Sequence, residues 1–196
     1  MSDDRWNSDI VLYPSDRLFA ATIDPFVPRG VKPNHLTVLR MLLIPFVLYF
    51  LSVERYAVGV PLFLFAALTD WFDGSLARVR RQVTEWGIIY DPLVDKLLIG
   101  SVLFVIVLDH INFTLGVALL VVEAFMIAAG WYRNMTSGRI EPANIWGKVK
   151  MVAEVCGIML LLMALWLKMN LLVDLSTGTL GLALTFAIVS IFSRIK

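Results

Sequence analysis

Four aspartates occur as two pairs whose spacing suits chemistry on a helix surface. Asp70 and Asp73 are three residues apart in TDWFDGSLARVRRQ, and Asp91 and Asp95 are four apart in DPLVDKLL. Residues at these spacings share one face of an α-helix. Carboxylates about 4 Å apart repel by roughly 4 kcal/mol at an effective dielectric near 20, so a pocket that holds four of them needs protons or a cation. With one cysteine and two histidines in the chain, a hard cation suits it best, so we expect one or two Mg²⁺ or Mn²⁺ ions.

Small residues and an arginine stand beside the first pair. Gly74 inside a helix costs about 1 kcal/mol relative to alanine, which indicates that a ligand or side chain approaches the backbone closely. Ala77 leaves further space, and Arg78, one turn on, could bind a phosphate. Structural roles are the alternative, because Asp91 before Pro92 is typical of a helix N-cap and Asp95 could pair with Lys96 or with an arginine of the loop. Four aspartates at the same membrane face favour a functional site over four separate structural roles.

The rest of the chain predicts a membrane protein. It is 59% hydrophobic and 17% charged over 196 residues, well away from soluble composition. Apolar runs predict an all-α polytopic protein with six transmembrane helices, each near the ~20 residues that cross a bilayer. They are Leu36–Val53, Ala57–Arg78, Pro92–Leu108, Phe113–Tyr132, Trp146–Leu167 and Leu171–Phe192. Both aspartate pairs then lie at the ends of the second and third helices, which one short loop joins.

The distribution of basic residues predicts the orientation. All lysines and arginines except Arg55 and Lys168 fall on the side that holds both termini and the two longer loops. The positive-inside rule places that side, and the aspartates with it, in the cytoplasm or the mitochondrial matrix. We therefore expect a multi-pass protein of the bacterial inner membrane, or of the mitochondrial inner membrane in a eukaryote. No nucleic-acid partner is expected.

The N-terminal segment, residues 1–30, is predicted to be separate from a membrane domain at 31–196. Within it, PSDRLFAATIDPFVPRG is too short and too charged to span, and it fits either an interfacial amphipathic segment or a linker. At the start of the next helix, Thr37 could belong to the helix cap or contact a ligand. Arg40, about one turn inside, could snorkel to the surface or contact a phosphate.

The aspartates and their neighbours form a recognisable signature. Asp70, Asp73, Gly74, Ala77, Arg78, Gly87, Asp91 and Asp95 stand at the spacing that resembles the signature of the CDP-alcohol phosphatidyltransferases. PNHLTVLRMLLIP, DWFDGSLAR, DPLVDKLL and GKVK further resemble the members of that family that make phosphatidylglycerophosphate. The resemblance covers residues 31 to 192.

The resemblance implies a reaction and a role for each residue. A family member transfers the phosphatidyl group of CDP-diacylglycerol to an alcohol and releases CMP, with two divalent cations on the pyrophosphate. The four aspartates would be metal ligands, with Asp95 also the general base. Residues that would contact CDP-diacylglycerol are Gly74, Ala77, Arg78, Gly87 and Thr37. The resemblance also implies a homodimer among membrane lipids.

The acceptor is the open part of the assignment. Glycerol 3-phosphate is the expected acceptor, and Arg133, Arg139 and Lys148, together with Lys150, could bind its phosphate. Val122-Glu123 stands where those members are expected to have an Arg-Glu pair, so inositol phosphate, or phosphatidylglycerol as in cardiolipin synthases, remains an alternative. Glu123 and Glu154, inside predicted helices, could line the acceptor pocket or join helices by a hydrogen bond. A cation transporter is a remote alternative, because its site would be expected near the midplane with a repeat that relates two halves, and this chain shows neither.

Overall fold

The protein is all-α over the residues that the computed structural model describes. These are residues 12–137 and 145–193, with side chains described for all of them except 131–137. The helices are α1 Pro14–Thr22, α2 Pro33–Ser52, α3 Tyr56–Val79, α4 Glu85–Val102, α5 Leu108–His110, α6 Phe113–Ser137, α7 Ile145–Leu167 and α8 Asn170–Phe192. A 3-10 turn covers Asp24–Phe26, and a π-helical segment, Leu103–Val107, joins α4 to α5. The described ranges contain no strand, which confirms the all-α prediction.

Five helices in the described ranges are long and apolar enough to cross a membrane, so this is an integral multi-pass protein. They are α2, α3, α6 over Phe113–Gly130, α7 and α8. The predicted third span corresponds to α4, the π segment and α5. Because Glu85, Asp91, Asp95 and Lys96 all lie in α4, its composition alone does not identify a membrane span, and the total of six stays a prediction.

The start of α4 differs from the sequence prediction by two turns. The Asp91-Pro92 pair indicated a helix that begins at Pro92, but α4 already begins at Glu85. The hydroxyl of Thr84 accepts a hydrogen bond from the backbone N–H of Gly87 at 3.0 Å, which is the geometry of a threonine N-cap. Asp91 is therefore not a cap, because it lies one and a half turns inside the helix.

The helices form two compact units, the first made of the described parts of Met1–Phe50 and Pro61–Leu98. The polarity of this unit is inverted relative to a soluble protein. Large apolar side chains of α2 face outward, with Phe46 58% and Leu42 61% exposed, whereas Thr37, Arg40, Thr69 and Asp73 are buried. Lipid covers such apolar surface, and buried polar groups in a membrane protein mark functional positions.

The N-terminal segment packs onto α3 within this unit. Phe19 of α1 is 1% exposed and lies with its ring centroid 6.0 Å from those of Trp71 and Phe72. Beyond α1, the guanidinium of Arg80 donates to the carboxylate of Asp24 at 2.7 Å and to the carbonyl of Val27 at 2.7 Å. The described part of the segment is therefore held by specific contacts, which a plain linker does not make.

The second unit comprises the described parts of Leu51–Val60 and Ile99–Lys196. Helices α7 and α8 approach closely, because a Cβ on Gly157 would lie 2.7 Å from the side chain of Leu180. The hydroxyl of Ser176 donates to the carbonyl of Gly157 at 2.7 Å. Small residues and interhelical hydrogen bonds of this kind are how membrane helices associate.

Candidate active site

A buried arginine lies at the centre of the aspartate cluster. Arg40 of α2 has no exposed surface, and its Nη1 donates to Asp70 at 3.0 Å. The same nitrogen donates to Asp95, and Nη2 donates to Asp73 at 2.6 Å. Its Nε donates to the hydroxyl of Thr69 at 3.2 Å. One guanidinium thus gathers three carboxylates from two helices. Snorkelling, one role considered for Arg40, is wrong because the side chain is fully buried, and phosphate contact stays a prediction.

The fourth aspartate is held by the residue one turn before Arg40. The Thr37 hydroxyl donates to Asp91 Oδ1 at 2.6 Å, and Thr37 is 1% exposed. Because Thr37 and Arg40 are three residues apart, they share the face of α2 that contacts both aspartate pairs. The predicted convergence of α3 and α4 therefore occurs, with α2 as the element that joins them.

A pocket of about 140 Å³ opens next to the cluster. The signature residues Gly74, Ala77, Arg78, Gly87 and Asp91 line it, together with Pro33, Asn34, Gln82, Val83, Thr84 and Ile88. Gly74, Ala77, Arg78 and Gly87 were expected to contact one ligand together with Thr37, and the structure brings these four to one concave surface beside Asp91, an expected metal ligand. Thr37 is not among the lining residues, since its hydroxyl is bound to Asp91.

Both signature glycines allow a close approach by a polar side chain. A Cβ on Gly74 would lie 3.3 Å from Nη1 of Arg78. A Cβ on Gly87 would lie 3.1 Å from Oδ2 of Asp91 and 3.2 Å from Oγ1 of Thr84. These contacts are tighter than ordinary van der Waals packing, so the absence of a side chain lets the arginine and the aspartate take their places.

Arg78 has an acidic partner that the sequence did not indicate. Its Nε donates to Asp16 Oδ2 at 2.8 Å and its Nη2 to Asp16 Oδ1 at 2.9 Å, a bidentate pair. The ring of Tyr13 lies 5.5 Å from the guanidinium carbon. The Arg78 hydrogen bonds, joined by one from the Tyr13 backbone, hold the pKa of Asp16 below its ordinary value despite burial. Asp16 is therefore an anion at neutral pH.

The electrostatics of the cluster leave room for added cations. Arg40 carries one positive charge among four carboxylates, so it neutralises only one of them. Carboxylate oxygens are the donors that Mg²⁺ and Mn²⁺ prefer, so the donor chemistry fits these ions. Yet no group of three or more metal-ligating side chains among the described residues is arranged around a metal position. Three of the carboxylates instead accept hydrogen bonds from the Arg40 guanidinium, and that of Asp91 accepts one from Thr37.

The predicted acceptor residues fall in the second unit or outside the described residues. Arg133 lies in α6 with its side chain outside the described set, and Arg139 lies wholly outside it. Lys148 is exposed in the first turn of α7. Lys150, by contrast, is buried and donates to Glu123 of α6.

Lys150 belongs to a buried cluster with two glutamates. Its Nζ lies 2.5 Å from Glu154 Oε2, one turn along α7, and bonds Glu123 across to α6. The hydrogen-bonding alternative for Glu123 therefore holds. Lys150 is thus the counter-ion of two carboxylates, and its contact with an acceptor phosphate stays a prediction.

Two contacts at the candidate site, those made by Arg40 and Asp16, were not predicted from the sequence, for different reasons. The pairing of Arg40 could have been predicted, because α2 contains no acidic residue and a charge inside a membrane helix then needs a partner on another helix. The four aspartates were the available partners. The pairing of Asp16 could not, since 62 residues separate it from Arg78 and no periodicity links them.

Comparison with known proteins identifies relatives of this chain. The family model for CDP-alcohol phosphatidyltransferase matches residues 31–191. A CDP-diacylglycerol–glycerol-3-phosphate 3-phosphatidyltransferase of Pseudomonas fluorescens is 36% identical over 140 residues, which is 66% of this chain and 71% of that protein. The enzyme of the same name from Yersinia pestis is 37% identical over 62% of this chain and 71% of its own length. That from Salmonella choleraesuis is 34% identical over 84% of this chain and 91% of its own length.

Proposed function

Because the chain belongs to the CDP-alcohol phosphatidyltransferase family, we propose that it transfers the phosphatidyl group of CDP-diacylglycerol to glycerol 3-phosphate and releases CMP. The observation that carries this proposal is the convergence of the eight signature residues on the Arg40 cluster and the adjoining pocket. Relatives named for this reaction with glycerol 3-phosphate support the choice of acceptor.

The proposal assigns the pocket to the CDP part of the lipid. Gly74, Ala77 and Gly87 keep the walls free of bulky side chains, and Arg78 supplies N–H donors to a phosphate. A ligand with a polar head and two acyl chains also suits a unit whose outer surface is apolar and whose charged groups are buried. Thr37 would affect the ligand indirectly, because its hydroxyl donates a hydrogen bond to Asp91.

Asp70, Asp73, Asp91 and Asp95 would hold the divalent cations, which we propose to be two ions of Mg²⁺ or Mn²⁺. When bound, the cations would neutralise charge on the pyrophosphate and stabilise the departing CMP. Arg40 would serve as the counter-ion of the same carboxylates when the cations are absent. In this proposal it keeps the aspartates of α3 and α4 together so that they are positioned before a cation arrives.

Asp95 is the proposed general base. Its side chain is 15% exposed, so it is sheltered from bulk water but still reachable. The acceptor hydroxyl oxygen would bond to the phosphorus that carries diacylglycerol while the bond from that phosphorus to the CMP oxygen breaks. The hydroxyl proton would pass to the Asp95 carboxylate, which is the proton transfer that this chemistry requires.

Further parts of the proposal rest on charge distribution and resemblance. The excess of basic residues on one side supports cytoplasmic termini and a cytoplasmic active site, in a bacterial inner membrane or on the matrix side of a mitochondrial one. The family match at 31–191 supports a membrane domain at 31–196 with residues 1–30 as an added segment. Arg133, Arg139 and Lys148 remain the proposed acceptor residues, and a homodimer is proposed from the resemblance alone.

The proposal is tested by CMP release from purified protein in lipid nanodiscs that contain CDP-diacylglycerol. The acceptor panel is glycerol 3-phosphate, inositol phosphate, phosphatidylglycerol and no acceptor, each with Mg²⁺ or Mn²⁺. Release that depends on glycerol 3-phosphate is expected. Release that depends on another acceptor would keep the chemistry and reject this acceptor, and no release with any acceptor would reject the function.

A further inference from the structure

We propose that Asp16, in the N-terminal segment outside the family match, positions Arg78 for the anionic part of the nucleotide lipid. The inference rests on the proposed function, because it takes Arg78 to contact CDP-diacylglycerol. It adds a residue that the eight-residue signature does not contain. It also gives the N-terminal segment a part in substrate binding.

The geometry of the pair is that of a rigid clamp. Asp16 has no exposed surface, and both of its carboxylate oxygens accept from Arg78, at 2.8 and 2.9 Å. The backbone N–H of Tyr13 donates to the same carboxylate at 3.0 Å. A carboxylate fixed at this many points holds the guanidinium plane in one orientation, which a single flexible contact would not do.

The pair with Asp16 leaves Nη1 of Arg78 available to a ligand. Asp16 binds the edge formed by Nε and Nη2, whereas Nη1 lies over Gly74, 3.3 Å from where a Cβ would stand. Gly74 and Arg78 both line the pocket. Arg78 has five N–H donors, so three remain after the two bonds to Asp16. The arginine can therefore bridge the Asp16 carboxylate and a phosphate.

The segment that carries Asp16 is held in place independently of this pair. Phe19 is buried against Trp71 and Phe72, and Arg80 binds Asp24 and the Val27 carbonyl. Asp24 is thus a second acid of the N-terminal segment that pairs with an arginine, here two residues after Arg78. It offers a matched control, since its loss disturbs the same segment without touching Arg78.

The test compares wild type, Asp16→Asn, Asp16→Glu and Asp24→Asn as full-length proteins in nanodiscs. For each, kcat and the KM values for CDP-diacylglycerol and glycerol 3-phosphate are measured, and the unfolding midpoint is recorded. Asp16→Asn should raise the KM for CDP-diacylglycerol about tenfold, in line with the loss of charged hydrogen bonds. The acceptor KM should be unchanged, Asp16→Glu should recover part of the effect, and Asp24→Asn should have wild-type KM values.

Three results would overturn the inference while leaving the proposed function in place. A KM for CDP-diacylglycerol that stays within twofold of wild type in Asp16→Asn would remove Asp16 from substrate binding. An equal rise in Asp24→Asn would mean that docking of the segment matters and the carboxylate does not. A lower KM in Asp16→Asn would show that Asp16 competes with the substrate for Arg78. A wild type that transfers nothing to any acceptor would instead reject the proposed function and this inference with it.

Discussion

Arg40 Nη2 donates a hydrogen bond to Asp73 Oδ2 at 2.6 Å, and both side chains are almost wholly buried. The same guanidinium also bonds Asp70 and Asp95. The positive charge of Arg40 thus lies among the aspartates that the family signature predicts to be metal ligands. Arg40 thus brings three of the four carboxylates together, and Thr37 holds the fourth, Asp91.

Replacing Arg40 should weaken the metal-free protein more than the metal-loaded one. In Arg40→Met the three carboxylates lose their shared counter-ion, and breaking a buried ion pair costs about 3–5 kcal/mol. The unfolding midpoint in EDTA should therefore fall well below that of wild type. Saturating Mg²⁺ should raise the midpoint of the variant more than that of wild type, because added cations replace the lost charge.

The control for this prediction is Arg55→Met, which removes an exposed arginine. Its midpoint should match wild type with and without Mg²⁺. If Arg40→Met cannot be kept in EDTA, the protein can be purified with Mg²⁺ and the midpoint followed as the cation is removed. Equal midpoints for Arg40→Met and wild type in EDTA would contradict the counter-ion role.

Gly87→Ala should lower activity while leaving stability equal or higher. Alanine is favoured over glycine in a helix by up to about 1 kcal/mol, but the new Cβ would press on Asp91 and Thr84 at 3.1 and 3.2 Å. We expect a several-fold loss of kcat/KM for CDP-diacylglycerol with no drop in unfolding midpoint. Gly100→Ala on the same helix is the control, since nothing lies within 4 Å of its Cβ position. A fully active Gly87→Ala would show that close packing there is dispensable.

The elements were more predictable from sequence than the contacts between them. Apolar runs near 20 residues long locate α2, α3, α6, α7 and α8, because a bilayer requires that length. The start of α4 was misplaced because Asp91-Pro92 resembles a helix start more strongly than Thr84 does, although Thr84 forms the cap. The aspartate face followed from i, i+3 and i, i+4 spacing. The pairing of Asp16 with Arg78 could not follow, because it depends on how a short segment docks.

Lys150→Met should destabilise the second unit strongly. It would leave the Glu123 and Glu154 carboxylates buried together without a cation, at a cost of about 3–5 kcal/mol. Adding Glu123→Gln and Glu154→Gln to the variant should recover most of the loss, because the repelling charges are then gone. Lys148→Met, at an exposed position two residues away, should leave the unfolding midpoint unchanged. Similar midpoints for the two single lysine variants would refute the buried cluster.

The contribution of Asp16 to stability should persist through the neutral range and be lost only in acid. Its folded pKa lies below the unfolded value because Arg78 donates to its carboxylate. A lowered pKa contributes stability above the unfolded value, near pH 4, and loses it as pH falls through the folded pKa. The midpoint difference between wild type and Asp16→Asn should therefore be constant from about pH 6 to about pH 8 and shrink below about pH 4. A difference that changes near pH 7 would require another titrating group.

The measurement that tests the account most directly is CMP release by wild type, Asp95→Asn and Asp174→Asn with CDP-diacylglycerol, glycerol 3-phosphate and Mg²⁺ or Mn²⁺. Asp174 is an exposed carboxylate of α8, so its variant controls for the loss of one acid. Wild type and Asp174→Asn should release CMP only when both the acceptor and the cation are present. Asp95→Asn should keep its fold but lose at least about 10²-fold in rate, as expected for a missing general base. Near-normal release by a folded Asp95→Asn would contradict the proposed active site.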